Sequence, residues 1–151
     1  MVNRSRSAGT TAGKHPVRTA AQVVGAVFVL VGVLGFIPGI TSDYDTMQFA
    51  GHESEAKLLG LFQVSILHNL VHLAFGVAGL ALARTISGAR AYLIGGGAVY
   101  LVLWLYGLVV DHESAANFVP LNNADNWLHL GLGVGMIALG LALTRRPADR
   151  R

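Results

Sequence analysis

Apolar residues fill four long segments of the chain, and polar or charged residues fill the segments between them. The four apolar runs cover residues 20–40, 58–83, 91–110 and 126–143. A helix of about 20 apolar residues, rising about 1.5 Å per residue, spans the hydrocarbon core of a bilayer. None of the runs alternates strictly as a barrel strand would, and a helix satisfies its own backbone hydrogen bonds in lipid. The pattern therefore predicts an all-α fold, a bundle of four transmembrane helices.

Polar tails flank the four runs. Residues 1–18 combine Ser, Thr, Gly and Arg without hydrophobic periodicity, and residues 145–151 are strongly basic. The first tail has too little apolar surface to order itself by burial, so we predict that it is flexible. The transmembrane domain is then expected to cover residues 19–144.

Composition and charge placement extend this prediction to topology. The chain is 53% hydrophobic and 13% charged, which is typical of a membrane protein. Seven of the eight acidic residues lie in the loops after the first and third runs, whereas every basic residue except Lys57 lies elsewhere. Basic segments stay on the cytoplasmic side of a membrane. We therefore predict a multi-pass protein of the plasma membrane with both termini in the cytoplasm, and its charge indicates topology rather than a nucleic-acid partner.

Two of the runs carry the same pair of polar residues. The segment NLVHLAFGVAGLAL begins at Asn69, and the segment NWLHLGLGVGMIAL begins at Asn126, with His72 and His129 at the same spacing. Asn and His are scarce in membrane helices, so their match is more informative than the shared Leu, Gly and Ala. We infer two duplicated helical hairpins, related by a pseudo-twofold axis along the membrane normal.

Helical spacing predicts where these side chains point. Residues three and four apart share one face of a helix. One face of the second run holds Ser65, Asn69, His72 and Gly76, and one face of the fourth holds Asn126, His129 and Gly133. Small and polar residues on a membrane helix face its neighbours rather than lipid. A deeply placed tyrosine of the third run also needs a hydrogen-bond partner, which completes a candidate polar core of Asn69, His72, Tyr100, Asn126 and His129.

Three interpretations of this polar core are open. It can be structural, since hydrogen bonds between membrane helices contribute on the order of 0.6 to 2 kcal/mol each. It can bind haem through His72 and His129, or a divalent metal with the additional ligand His68, because imidazole is a common ligand of both. It can also line a proton or small-ion pathway.

Several classes of chemistry have no support in the sequence. The chain has no cysteine, which excludes disulfides, thiolate catalysis and iron–sulfur ligation. In the segment HNLVH, Asn69 stands where a zinc protease carries its general base. The acidic loops match no defined cation-binding motif, and Asp125 or Asn126 is expected to cap the fourth helix. We therefore do not expect an enzyme.

The segments LHNLVHLAFGVAGL and NFVPLNNADNWLHLGLGVGMI resemble an uncharacterised family of small bacterial four-helix integral membrane proteins, described as a domain of unknown function. The resemblance covers residues 18–144 and implies four membrane helices, without an assigned activity or a catalytic residue. The residues and the resemblance together predict a non-enzymatic accessory or interaction protein. Its expected partners are the lipid bilayer and either another membrane protein or a second copy of itself.

Overall fold

A computed structural model describes residues 15–144 of the protein, and the predictions for the two tails therefore concern mostly residues outside this range. The described chain is mostly helical. Its helices are α1 (Pro16–Leu34), α2 (Ile66–Leu82), α3 (Ile86–Val109) and α4 (Asn123–Ala142). Three two-residue strands, β1 (Thr41–Ser42), β2 (Lys57–Leu58) and β3 (Phe62–Gln63), lie between α1 and α2, with a short 3-10 turn at Tyr44–Thr46. Within residues 15–144, the prediction of a mainly helical fold with four main helices is confirmed, and the three short strands were not predicted.

The helices pack as two hairpins. Helix α1 packs mainly against α2, and α3 mainly against α4, while α1 and α3 make the larger contact between the hairpins. Glycines allow both close approaches. A Cβ atom on Gly76 would lie 2.6 Å from the carbonyl oxygen of Gly25, and one on Gly97 would lie 2.8 Å from that of Gly133. Each hairpin therefore depends on a backbone-to-backbone contact that only small residues permit.

The first and second helices are shorter than predicted. Helix α1 ends at Leu34 rather than at residue 40, and the hydroxyl of Thr41 donates to the carbonyl oxygens of Leu34 and Gly35 at 3.2 Å. Helix α2 begins at Ile66 rather than at residue 58. The predicted start was wrong because the apolar residues that precede α2 form the antiparallel hairpin of β2 and β3.

The two long loops meet at one end of the bundle, which we call the loop side; the connection between α2 and α3 lies at the other end, the tail side. The N–H of Gly51 donates to the carbonyl oxygen of Phe118 at 2.7 Å, which joins the loops to each other. Within the first loop, Ala56, Leu58 and Val64 form a small apolar core that packs against Val31 and Leu34 of α1. The loop side is thus a packed layer over the helices.

Helix α4 begins at Asn123 rather than at residue 126, and its N-cap residue differs from the predicted one. Asn122 is the N-cap: its side-chain oxygen accepts from the N–H of Asp125, and the Asp125 carboxylate accepts from the N–H of Asn122, both at 3.0 Å. This reciprocal capping box satisfies two backbone donors at once. The expectation that Asp125 or Asn126 is the cap residue was therefore wrong, although Asp125 takes part in the box.

Apolar side chains cover the outside of the bundle. Helices α1 and α3 are long and apolar enough to cross a membrane. In the most apolar 18-residue stretch of each helix, only 28% of the residues of α1 and 33% of those of α3 are buried. Helix α2 is apolar but has 17 residues. The exposed apolar side chains, which we call the apolar belt, include Val23, Val27, Leu30, Leu70, Val77, Val99, Val102, Leu105, Val134 and Leu139.

Candidate functional site

The histidines predicted from the repeated segments line one small cavity. It has a volume of about 90 Å³, and its polar lining comes from His68, His72, His129 and Tyr100. Helix α2 supplies the first two histidines, α4 the third and α3 the tyrosine. His129 is 3% exposed and His72 is 9% exposed. Three elements that are distant in sequence therefore bring their ionisable or polar side chains to one buried point, which we call the histidine cavity.

The start of α2 positions its two histidines. The hydroxyl of Ser65 accepts from the N–H of His68 at 3.1 Å, which fixes the first turn of the helix. One turn later, the ring centroid of His72 lies 4.4 Å from that of His68. The Nδ1 atom of His68 lies 3.1 Å from the carbonyl oxygen of Gln63, and because a carbonyl only accepts, we assign the ring proton to that nitrogen.

Aromatic rings from α1 and α3 close the cavity between the hairpins. The ring centroids of Phe28 and His72 are 5.6 Å apart, and those of Tyr100 and His129 are 5.2 Å apart. Phe28 and Tyr100 stack on each other with centroids 5.4 Å apart. Tyr100 thus lies beside His129 through ring contact, and within residues 15–144 its hydroxyl makes no hydrogen bond to the histidines or asparagines of the predicted core.

The two asparagines of the predicted core lie apart from this cavity, at the seam within each hairpin. The side chain of Asn126 packs on Gly107 and donates to its carbonyl oxygen at 2.8 Å. The side chain of Asn69 packs on Gly35 in the same way, and its amide lies 4.0 Å from the sulfur of Met47. A Cβ atom on either glycine would overlap the asparagine. The structure therefore divides the predicted core into a histidine–tyrosine cluster and two separate asparagine seams.

These contacts occur in matched pairs along the chain. Residues of α2 and α4 that correspond are 57 positions apart, as Asn69 and Asn126 are, and those of α1 and α3 are 72 positions apart, as Gly35 and Gly107 are. The matched contacts are Gly35 on Asn69 with Gly107 on Asn126, Phe28 on His72 with Tyr100 on His129, and Gly25 on Gly76 with Gly97 on Gly133. The same kind of contact thus recurs at corresponding depths in both hairpins.

Asp125 belongs to the site, although sequence reasoning assigned it only to a loop or a helix cap. It is 2% exposed, and its carboxylate accepts from the N–H of Gln63 at 3.1 Å in addition to that of Asn122. One signal could have identified it: Asp125 stands 57 positions after His68, which is the offset between Asn69 and Asn126 in the predicted duplication.

A second cavity connects Asp125 with the histidines. Its volume is about 200 Å³; His68, His72 and Asp125 line it together with apolar residues of α1, α4 and the β2–β3 hairpin. Among these apolar residues is Leu59, which is 67% exposed at the loop side. The two cavities therefore share His68 and His72, and the larger one reaches toward the surface.

Below the histidine cavity, toward the tail side, the bundle is filled by apolar and aromatic side chains. The ring of Phe75 lies 4.9 Å from the rings of both Phe28 and Tyr92. A Cβ atom on Gly96 would lie 2.6 Å from Phe75 and 2.9 Å from Met136, so these side chains fill the space beside that glycine. We call these residues the aromatic plug.

Some buried polar atoms of the site have no hydrogen-bond partner within residues 15–144. They include Nδ1 of His72, Nδ1 of His129 and the side-chain oxygens of Asn69 and Asn126. Buried polar atoms are nearly always hydrogen-bonded, so such atoms indicate a bound water, a ligand or a functional role. In the same described range, no three His, Asp or Glu side chains are grouped so as to hold a metal ion.

A family model described as Domain of unknown function (DUF4383) matches residues 18–142. The chain belongs to this family, which confirms the expectation of a family without an assigned function. No curated protein matches the chain, and no solved structure matches it.

Proposed function

We propose that the chain is a small non-enzymatic integral membrane protein with four membrane-crossing helices. Its family has no assigned activity that could be transferred to it. In this proposal it is an accessory or interaction protein of the bacterial plasma membrane, and its two hairpins are duplicated units related by a pseudo-twofold axis. The asparagine seams hold each hairpin together. The expected partners are the bilayer and another membrane protein or a second copy of the chain.

The distribution of polar and apolar side chains carries this proposal. The apolar belt covers all four helices, whereas Asn69, His72, Asn126 and His129 are buried. Soluble monomers rarely expose contiguous apolar patches larger than a few hundred Å² (roughly 300–600). Polar side chains inside and apolar ones outside are what a hydrocarbon solvent favours.

Helix pairing supports four crossings rather than two. Helices α1 and α3 are the two that are long and apolar enough to cross a membrane. Helix α2 packs along α1, and α4 packs along α3, so α2 and α4 would reach a similar depth in the membrane. The 17 residues of α2 correspond to about 25 Å of helix, close to the thickness of a thin bilayer core.

Charges at the two ends of the bundle support the orientation. On the tail side, Arg18 donates from its guanidinium Nε to the carbonyl oxygen of Ala83 at 3.0 Å, and Arg84 and Arg90 are exposed nearby in sequence. Acidic residues are concentrated on the loop side. By the preference of basic residues for the cytoplasm, the tail side faces inward.

The matched contacts of the two hairpins support the duplication. Three contacts of α1 with α2 recur between α3 and α4 at constant sequence offsets. An offset of 56 or 58 would put Asp125 or Trp127, instead of Asn126, in the place that corresponds to Asn69. Both hairpins have the same direction of travel through the bundle, so a twofold axis along its length relates them.

The other interpretations have less support. The two cavities, of about 90 and 200 Å³, are smaller than the roughly 300–1,000 Å³ of typical pockets for small ligands, so a haem would require the helices to separate. A metal held by His68, His72 and His129 would need these rings to move together. A proton or ion pathway through the bundle is opposed by the aromatic plug.

Single cysteines test the membrane proposal, because the natural chain contains none. Glu53→Cys on the loop side, Ser87→Cys on the tail side and Val102→Cys in the belt replace exposed side chains; Ser54 is unsuitable because it is 0% exposed. With a membrane-impermeant maleimide on intact cells, we expect only Glu53→Cys to react. Lysis should add Ser87→Cys, whereas Val102→Cys should react only in denaturant. Labelling of Val102→Cys in the native protein as fast as Glu53→Cys would overturn the proposal.

A further inference from the structure

We propose that His68, His72 and His129 form a proton-binding site that exchanges protons with the loop side of the protein and not with the tail side. The inference rests on the membrane placement proposed above, which defines the two sides. It differs from a pathway, because a proton that enters this site leaves by the same route.

The histidine cavity has the features of a binding site rather than of a packing defect. Nδ1 of His72 and Nδ1 of His129 are buried without a partner within residues 15–144. The cavity volume of about 90 Å³ is enough for a few water molecules, each of which takes about 30 Å³. Water in contact with two unpartnered ring nitrogens would complete their hydrogen bonds and connect the imidazoles to one another.

The surroundings limit the site to one proton at a time. Two imidazolium rings at this separation would repel each other in an apolar interior. A single charge can be shared among His68, His72 and His129 through the cavity, so the three rings are expected to titrate as one group.

Access from the loop side follows from the larger cavity. His68, His72 and Asp125 line it together with Leu59, which is 67% exposed on the loop side. The backbone of Gln63 links two of these groups, since its carbonyl oxygen accepts from His68 and its N–H donates to Asp125. Asp125 is therefore the acidic group through which a proton from the loop side would first pass.

Access from the tail side is blocked by the aromatic plug. Phe28, Phe75, Tyr92 and Met136 contact one another or Gly96 below the histidines. None of these side chains transfers a proton readily near neutral pH, so the plug offers no proton relay between the histidines and the tail side.

The titratable groups that face the site come from three helices. Helix α2 contributes His68 and His72, α3 contributes Tyr100, and α4 contributes Asp125 and His129. Helix α1 contributes only Phe28 and Val31, which do not titrate. The charged loop residues Asp43, Glu55, Lys57 and Glu113 line a separate surface cavity with His52. Among residues 15–144, Asp125 is thus the carboxylate that could stabilise a proton on the histidines.

Proton uptake by liposomes tests the proposal. Full-length protein is reconstituted in liposomes with the loop side outward, and a second preparation has the tail side outward. An acid pulse from about pH 8 to about pH 4 is applied outside, and impermeant pH dyes inside and outside follow the protons. With the loop side outward, the natural chain should take up about one proton per chain more than the triple variant His68→Gln/His72→Gln/His129→Gln, which lacks all three rings. With the tail side outward, the two proteins should take up the same amount.

Three results would overturn the inference. They are equal uptake by both proteins in each orientation, a difference that is the same in both orientations, and acidification of the interior by the natural chain alone, which would indicate a pathway. His52→Gln is the control, because His52 lies at the separate surface cavity and should leave the difference unchanged.

A second measurement covers the case that the triple variant does not fold. In the natural chain, deuterium exchange at the ring carbon of each histidine reports its protonation by mass spectrometry. His68, His72 and His129 should change together with pH, and independent titration of the three would contradict a shared proton. A failed membrane proposal would appear separately, as labelling of Val102→Cys in the cysteine experiment.

Discussion

The first hairpin, α1 with α2, and the second, α3 with α4, place an asparagine on a glycine at the same point of their seams, but the two asparagines have different partners. Asn126 donates a hydrogen bond of 2.8 Å to the carbonyl oxygen of Gly107. Within residues 15–144, the side-chain amide of Asn69 has only the distant sulfur of Met47. A further difference is that His68 in the first hairpin corresponds to Asp125 in the second. Shape is therefore matched between the hairpins, whereas hydrogen bonding and charge are not.

The largest expected effect tests the matched shape. A Cβ atom on Gly76 would overlap the backbone of α1, and one on Gly97 would overlap the backbone of α4. Gly76→Ala and Gly97→Ala should therefore each destabilise the protein by about 1–3 kcal/mol. Thermal unfolding in detergent measures the loss. Gly95→Ala is the control, since nothing lies within 4 Å of its Cβ position, and it should change stability by less than about 1 kcal/mol. Tolerance of alanine in one hairpin only would contradict the match.

The next effect concerns charge and separates Asp125 from His68. Asp125 is 2% exposed, and holding its ionised carboxylate away from water costs free energy. Asp125→Asn removes the charge and keeps a side-chain oxygen that can accept from the N–H groups of Asn122 and Gln63. The variant should therefore be more stable than the natural chain at about pH 8 by about 1–3 kcal/mol. Unfolding temperatures of both proteins in the same detergent test it, and a variant that unfolds at a lower temperature would refute it.

A smaller effect should distinguish the asparagine seams. Asn126→Ala removes a hydrogen bond between helices, whereas Asn69→Ala removes only a weak contact with sulfur. The first variant is expected to lose about 1 kcal/mol more than the second. Chemical unfolding of the two variants in the same detergent gives the difference, and equal losses would mean that packing alone determines the seams.

The smallest effect is expected at the stacked rings. Phe28 occupies, in the first hairpin, the place that Tyr100 has in the second. Since a ring without a hydroxyl suffices at one position, Tyr100→Phe should change stability by less than about 0.5 kcal/mol. A loss above about 1 kcal/mol in thermal unfolding would show that the hydroxyl has a partner worth a hydrogen bond.

Periodicity was sufficient to predict four helices and the burial of their polar stripes, because a single residue pattern determines both. It was not sufficient at residues 57–63, where Leu58, Leu59 and Leu61 read as helix. A short apolar run is compatible with either helix or strand, and left-handed backbone at Leu59 and Gly60 turns this one into a hairpin.

The separation of asparagine from histidine was also beyond the sequence pattern. Residues three apart share a face but differ by about 60° around the helix axis. In the structure this angle directs Asn126 to the helix of its own hairpin and His129 to the space between hairpins. The outcome depends on how the helices are rotated against each other, which their spacing alone does not define.

The hydrogen bond from Arg18 to the carbonyl oxygen of Ala83 has a consequence for the order of assembly. Both of its partners, and both residues of the Gly25–Gly76 contact, belong to the part of the chain that is synthesised first. The first hairpin can therefore close before α3 and α4 leave the ribosome. His129, by contrast, arrives only with the last helix, so the histidine cavity is completed at the final step of synthesis.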